Sequence, residues 1–282
     1  MPGDLLQLYP PSSDHPQLQG LYLQHPLHRL TATDAPLVYS NFISSLDGRI
    51  ALPSPGRRSH RVPPAIGNAR DWRLYQELGA QADLLITSAR YFRQLAQGEA
   101  QDLLPVGPAD RFGDLQAWRR ANGLGAQPDL AIFSASLEIP AEAIAIYAER
   151  RLHVMTGAGA DRGRIAALQA AGIEVHQVGG GATADGGLAI AALQAAGYRR
   201  IYAIAGPSVF HALVCAGVLN RLYISFAHRL LGGKDFDTVI WGPELAPAPI
   251  LRLRSLFYDA HAPADAGQLL ACYDLPTPTS TR

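Results

Sequence analysis

Arg200-Ile-Tyr-Ala-Ile-Ala-Gly-Pro-Ser-Val-Phe-His-Ala-Leu-Val-Cys-Ala-Gly-Val-Leu-Asn-Arg-Leu-Tyr-Ile-Ser-Phe-Ala-His-Arg-Leu-Leu-Gly-Gly233 is the stretch whose reading decides the fold. Ile201 to Ile204 is a short apolar run bounded by turn residues. Val209, Leu213 and Val214 then recur at helical spacing between Ser208 and Ala216, and Leu222, Ile224 and Phe226 alternate as strand residues do. The pattern predicts strand, tight turn, helix, strand. At the turn, Gly206 has no Cβ, so a ligand can approach the backbone, while Pro207 and Ser208 suit a helix start with free N–H groups. Such a helix end favours an anion by about 0.3–1 kcal/mol, but the same pattern also describes a βα connection that binds nothing.

Outward from this stretch, 282 residues are enough to bury a sizeable core, and the chain reads as one domain, residues 37–275, behind an arm, residues 1–36. Lys plus Arg and Asp plus Glu both total 24, so the balance points to a small-molecule ligand and away from nucleic acid. No apolar run approaches the roughly 18 residues of a membrane span, and Met1 to Leu6 lacks a basic segment followed by an apolar one. Cytoplasmic residence with no membrane partner is therefore expected. Two cysteines, Cys215 and Cys272, cannot build a disulfide framework, and their apolar contexts predict buried thiols without chemistry. No metal site is expected.

The arm holds several prolines and apolar clusters such as Leu21-Tyr22-Leu23, without periodicity. From Leu37 a strand leads into Asp47-Gly48, which by itself is a hairpin-turn signal. The following loop concentrates Arg57, Arg58, His60 and Arg61, either as a solvated loop or as paired guanidiniums suited to a phosphate. A packing helix is predicted over 68–78, capped by Asn68 and ended by Gly79. A buried strand then runs from Ala82 into Thr87-Ser-Ala-Arg90. Residues 94–128 form a polar excursion with a helical patch at Leu115 to Arg120. Two further strands, from Leu130 and from Leu152, end at Ser134-Ala-Ser136 and at Thr156-Gly-Ala-Gly159. In parallel α/β sheets the ligand crevice lies at such carboxyl ends. Ala-Leu-Gln-Ala-Ala-Gly occurs twice, at 167–172 and 192–197, marking two helix-then-strand units. The glycines at 179–181 and 186–187 read as a mobile connector. Alternation around Leu251 to Ser255 and Leu269 to Tyr273 predicts an antiparallel pair at the sheet edge, followed by a loose tail over 276–282.

Two motifs resemble the pyrimidine reductases of riboflavin biosynthesis, members of the dihydrofolate reductase-like superfamily. One is Ser45-Leu-Asp-Gly-Arg-Ile-Ala51. The other runs through Gly206, Pro207, Ser208, Ala216, Gly217, Leu222, Leu231, Gly232 and Gly233. The resemblance implies a three-layer α/β/α fold with a mostly parallel central sheet and an antiparallel C-terminal edge. It implies an NADPH-dependent reduction of the ribosyl group of 5-amino-6-(5-phosphoribosylamino)uracil to ribityl, a phosphorylated pyrimidine substrate and a homodimer. Asp47 and Asn41 would then be catalytic, with Ser44, Arg57, Arg58, Ser59 and Arg61 on the substrate. Thr87, Ser88, Ala89, Ser134, Ser136, Thr156, Ala205, Gly206, Pro207 and Ser208 would hold the cofactor. The chain departs from the family pattern at Ile204 (Glu in the family), Ala205 (Gly), Asn220-Arg221 (Asp-Glu) and Arg90-Tyr91 (Gly-Thr). Those changes keep open a nucleotide-binding homologue with altered substrate or lost catalysis. A serine hydrolase is a further alternative, because Gly206-Pro-Ser208 is followed by Asp235 or Asp237 and then His261, the order of a nucleophile elbow and its partners.

Overall fold

The alternation of apolar residues along the strands decides the layers. Val38, Leu84, Ile86, Ala131 and Phe133 point to one side, while Tyr39, Leu85, Leu130 and Ile132 point to the other. Both sets are buried, as parallel strands covered on both faces require. The computed structural model describes residues 4–27, 35–54, 59–100, 103–263 and 266–275. In chain order the main strands are β1 (Leu5–Tyr9), β2 (Leu37–Ser45), β5 (Leu84–Ser88), β6 (Asp129–Phe133), β7 (Leu152–Thr156) and β8 (Glu174–Gln177). They continue with β9 (Arg200–Ala203), β10 (Arg221–Ala227), β11 (Arg252–Asp259) and β12 (Gln268–Asp274). Two short strands, β3 (Leu52–Pro53) and β4 (His60–Arg61), pair with each other apart from the sheet. The helices are α1 (Ala69–Gln81), α2 (Ala89–Ala96), α3 (Ala109–Ala121), α4 (Ala141–Ala145), α5 (Arg162–Ala170), α6 (Gly186–Ala195) and α7 (Pro207–Cys215).

The ten-stranded sheet has the order β1-β11-β12-β10-β2-β9-β5-β6-β7-β8. It is parallel from β10 through β8 and antiparallel where β12, β11 and β1 extend it. This is the expected three-layer α/β/α arrangement, with α1, α2, α4 and α5 packed on one face and α6 and α7 on the other. The chain leaves β2 for β5 on one side and leaves β9 for β10 on the other. The strand order therefore reverses at β2, β9 and β5, the place where such sheets open a crevice.

Several sequence expectations need correction. The antiparallel pair β11 and β12 is not the edge, because Leu5 to Tyr9 of the arm adds β1 outside it. The arm also fills the core with Leu18, Leu21, Tyr22 and Leu27. Its backbone is held by buried polar side chains of α1: Gly20 N–H and Tyr22 N–H donate to Glu77 at 2.5 and 3.0 Å, and Leu27 N–H donates to Gln81 at 3.2 Å. Composition conceals such docking because the partners lie more than fifty residues away. Asn68 does cap α1, accepting from the N–H groups of Arg70 and Asp71, but the helix runs through Gly79 to Gln81. A Cβ at Gly79 would come within 2.6 Å of Pro105, so this glycine serves close packing and not termination. The helical patch at Leu115 to Arg120 is the end of a longer helix, α3. The glycine-rich connector is laced to the end of β7 through Gly157 N–H to Ala182 O, Ala158 N–H to Gly179 O and Gly159 N–H to Gly181 O. Cys272 is buried as expected, whereas Cys215 is exposed on α7. The tail over 276–282 lies outside the described residues.

Candidate active site

At the reversal point a cavity of about 740 Å³ opens at the carboxyl ends of β2, β9 and β5. That volume suits a small-molecule site. Asn41 and Phe42 of β2, Thr87 and Ser88 of β5, and Ile204, Ala205, Gly206 and Pro207 after β9 line it. From α1 come Asp71, Trp72 and Tyr75, and from the β3–β4 region His60 and Arg61. Arg90, Tyr91 and Asp237 complete the parts discussed below.

The turn after β9 is built as its sequence suggests. Gly206 is the N-cap of α7 and Pro207 occupies its first turn. Gly206 has φ −68°, a conformation open to any residue, and a Cβ there would meet nothing within 4 Å. Glycine therefore leaves open space in front of a helix start, which fits a pyrophosphate approaching the backbone. Ser208 is exposed on α7 and does not line the cavity. It has no hydrogen bond to Asp235, Asp237 or His261 among the described residues. His261 follows β11, and β12, β10 and β2 lie between that strand and β9, so the hydrolase partners do not assemble.

Basic groups face the cavity from the side of β4. Arg61 has a buried Nε that finds no partner among the described residues, the state of a donor open to an acceptor. His60 is held between two carboxylates, with Nε2 3.3 Å from Asp235 and Nδ1 3.2 Å from Asp237. Arg90 also reaches Asp237, at 3.4 Å, so the bulky residue in the family's glycine position is drawn aside into an ion pair. Arg57 and Arg58 lie outside the described residues. Ser59 donates to Glu99 at 2.8 Å and does not line the cavity.

The two aspartates that follow β2 are differently placed. Asp47 does not line the cavity. Its carboxylate accepts from Ser45 Oγ and from the N–H groups of Leu231 (3.1 Å) and Gly232 (2.7 Å), and Arg49 lies 3.4 Å away. The Ser45 hydroxyl and the Gly232 N–H stabilise the anion most and hold its pKa near 2. Asp47 thus ties the first motif to the Leu231-Gly232 turn of the second. Ser44 is buried, donates to the carbonyl of Ser45 and does not line the cavity. Asn41 does line the cavity, and its Oδ1 accepts from the buried Tyr202 hydroxyl.

Asp71, by contrast, lines the cavity from the first turn of α1. Burial raises its pKa to about 6, against the opposing effect of a single 2.5 Å hydrogen bond from Ser225 Oγ of β10. Sequence reading passed over it because it falls inside an ordinary packing helix. The ring stack of Trp72 on Tyr75, 4.7 Å between centroids, was equally hidden as packing and forms part of the cavity wall. Of the cofactor residues expected from sequence, Thr87, Ser88, Ala205, Gly206 and Pro207 meet at the cavity. Ala89 starts α2 and is buried. Ser134, Ser136 and Thr156 follow the same carboxyl edge beyond β5, where Ser134 and Ser136 accept from the N–H groups of Leu137 and Glu138. Those three do not line the cavity.

Among solved structures, the fold is shared with a pyrimidine reductase-like protein from Corynebacterium diphtheriae, at TM-score 0.65 and 19% identity over 92% of this chain and 98% of that one. Acinetobacter baumannii RibD follows at TM-score 0.58 and 16% identity, with 90% of this chain matched to 62% of that longer protein. The riboflavin biosynthesis reductase of Saccharomyces cerevisiae matches at TM-score 0.55 and 14% identity, over 91% and 99% of the two chains. No curated protein sequence matches this one. No helix among the described residues is long and apolar enough to cross a membrane. The sequence itself matches the RibD C-terminal domain over residues 36–258, most of its length, and on that match the chain belongs to the RibD C-terminal domain family.

Proposed function

We propose that this protein is an NADPH-dependent reductase acting on 5-amino-6-(5-phosphoribosylamino)uracil, whose ribosyl group becomes ribityl. The observation that supports the reading is that the open Gly206–Pro207 helix start and the Arg61 Nε, which has no partner among the described residues, both suited to an anion, face one cavity that also contains Asp71. When bound, the nicotinamide supplies the hydride, and the protein's residues orient the partners and handle the proton. Gly206 and the α7 N-terminus hold the pyrophosphate, and Thr87 and Ser88 border it. Arg61 receives the substrate phosphate, and Trp72 and Tyr75 exclude water from the reacting groups. Asp71 gives up the proton that accompanies reduction, because its affinity lies close enough to neutrality to lose and regain one. Asn41, oriented by Tyr202, is a hydrogen-bonding contact for the substrate. The assembly in solution is a homodimer, with the exposed apolar side chains Leu230, Trp241 and Ile250 available for a two-fold contact.

The test is NADPH oxidation, followed spectroscopically, with the phosphoribosylaminouracil present and absent. Oxidation that depends on that compound, with weaker binding of NADH, is expected. Failure to bind either cofactor overturns the reading. Binding without turnover favours the nucleotide-binding alternative, for which the specific observation is Ile204, an apolar side chain in the cavity where the family resemblance has a carboxylate.

A further inference from the structure

Far from the cavity, at the amino ends of the parallel strands, three side chains converge on one point. His153 is the second residue of β7, Glu174 opens β8, and the two are cross-strand partners. His176 stands two residues further along β8 and so projects from the same face as Glu174. Their donor atoms all lie within 4.8 Å of one another. His153 Nδ1 is 3.1 Å from His176 Nε2 and 3.4 Å from Glu174 Oε2, and the remaining edge of the triangle is 4.0 Å. A tetrahedral zinc ion with bonds of about 2.0–2.1 Å sets its ligand atoms about 3.3–3.4 Å apart. The 3.4 Å edge matches, the 3.1 Å edge is slightly short, and the 4.0 Å edge is within reach of rotation of the half-exposed Glu174 side chain.

The support behind this triangle has the character of a metal site. Tyr198 OH donates to Asp129 at 2.7 Å, so its oxygen accepts from His153 Nε2–H at 2.9 Å. That bond fixes the His153 tautomer, with the proton on Nε2 and the lone pair of Nδ1 aimed at His176 and Glu174. A ligating histidine characteristically has its other nitrogen tied to such a carboxylate-backed partner. The His153 side chain is fully buried. Glu174 and His176 sit toward solvent, leaving a fourth position for water.

We propose that His153, Glu174 and His176 bind one divalent transition-metal ion, zinc by the nature of the donors, which pins the edge strand β8 to β7. Among the described residues, the other clusters lack this convergence. His60 offers opposite ring nitrogens to Asp235 and Asp237 and so cannot chelate with both. Cys215 and His211 supply two donors only.

The experiment uses the full chain without a histidine tag, freed of metal by chelator and titrated with Zn²⁺ by calorimetry and with Co²⁺ by absorption. One equivalent should bind in the micromolar range or tighter, with visible Co²⁺ bands of a four-coordinate N/O site. His176→Ala and Glu174→Gln, both at solvent-facing positions, should each weaken binding at least about tenfold. Zinc at a hundredfold excess over Kd should raise the Tm of the parent by about 5 °C and leave His176→Ala unmoved. NADPH oxidation should be the same in both proteins, since the triangle lies at the opposite end of the strands. Absence of stoichiometric binding, unchanged affinity in His176→Ala, or a sulfur-to-cobalt charge-transfer band pointing to Cys215 would each overturn the assignment.

Discussion

Asp47, in the connection that leaves β2, and Asp71, in the first turn of the helix α1 to which that connection leads, receive opposite chemistry from the fold. Asp47 stands in a conspicuous motif and is surrounded by donors: a hydroxyl, two backbone N–H groups and a guanidinium. Each of these stabilises the anion, so the group stays ionised and its lone pairs are occupied. Asp71 stands in an inconspicuous helix with one hydroxyl for company, and loss of water outweighs that bond. The contrast teaches that a carboxylate's role follows from the number of donors that reach it and from its access to the cavity. Prominence in a motif is a separate matter, and here it marks a tie between distant segments.

The sharpest way to break this comparison is at Asp71. Asp71→Asn should lower kcat by roughly 10²-fold or more if the group moves a proton, while NADPH affinity measured by titration stays within about twofold. The parent's kcat should fall as pH rises through about 6, and that limb should vanish in the variant. Folding follows the same sign. The folded pKa of Asp71 lies above its unfolded value, so its contribution to stability is complete at low pH and is lost as pH rises through about 6. A normal kcat in Asp71→Asn would remove the residue from the mechanism.

Next in size is Gly206→Val, which should weaken NADPH binding about tenfold, or roughly 1.4 kcal/mol, with cooperative unfolding retained. The fold tolerates the change because a Cβ there meets nothing and φ is ordinary. Affinity equal to the parent's would show that the helix start holds no phosphate.

Asp47→Ala should do the reverse of Asp71→Asn: a drop of a few degrees in Tm by calorimetry, with NADPH affinity nearly unchanged. Its folded pKa is depressed, so the stabilisation is present above the ordinary carboxylate range and disappears as pH falls through about 2. The Tm difference between variant and parent should shrink accordingly in acid. A large loss of kcat with intact stability would return Asp47 to the catalytic machinery.

The smallest expected effect repeats the lesson with thiols. Iodoacetamide should label Cys215 in the native protein and Cys272 only after unfolding, since burial in the core pushes the Cys272 thiol up to about 12. Mass spectrometry of the labelled peptides reads the result, and native labelling of Cys272 would contradict its burial.

Sequence by itself determined the order of the main-sheet strands from Leu37, several of the helices between them, the parallel character of the sheet and the turn at Gly206; β3, β4, α2 and α4 lay outside its reading. The features it did determine follow from local apolar periodicity, from glycine and proline at fixed positions, and from two motifs that survive as short words. It also marked Asn41, Thr87, Ser88, Arg61 and Ala205 to Pro207, which do meet at one cavity, because strand ends in a parallel sheet share an edge. Only the tertiary structure decided that Leu5 to Tyr9 would form the outermost strand, since its partner β11 is some 250 residues away in order of chain and invisible to any local pattern. Tertiary placement also turned Asp47 into a tie and Asp71 into a titratable group, and gathered His153, Glu174 and His176 at one point. Hydrogen-bond donors, burial and convergence are properties of neighbours in space: Ser225 lies 154 residues from Asp71 and Gly232 185 from Asp47, and even the nearer partners of His153, His176 at 23 residues and Tyr198 at 45, are set by strand pairing and packing and not by local pattern.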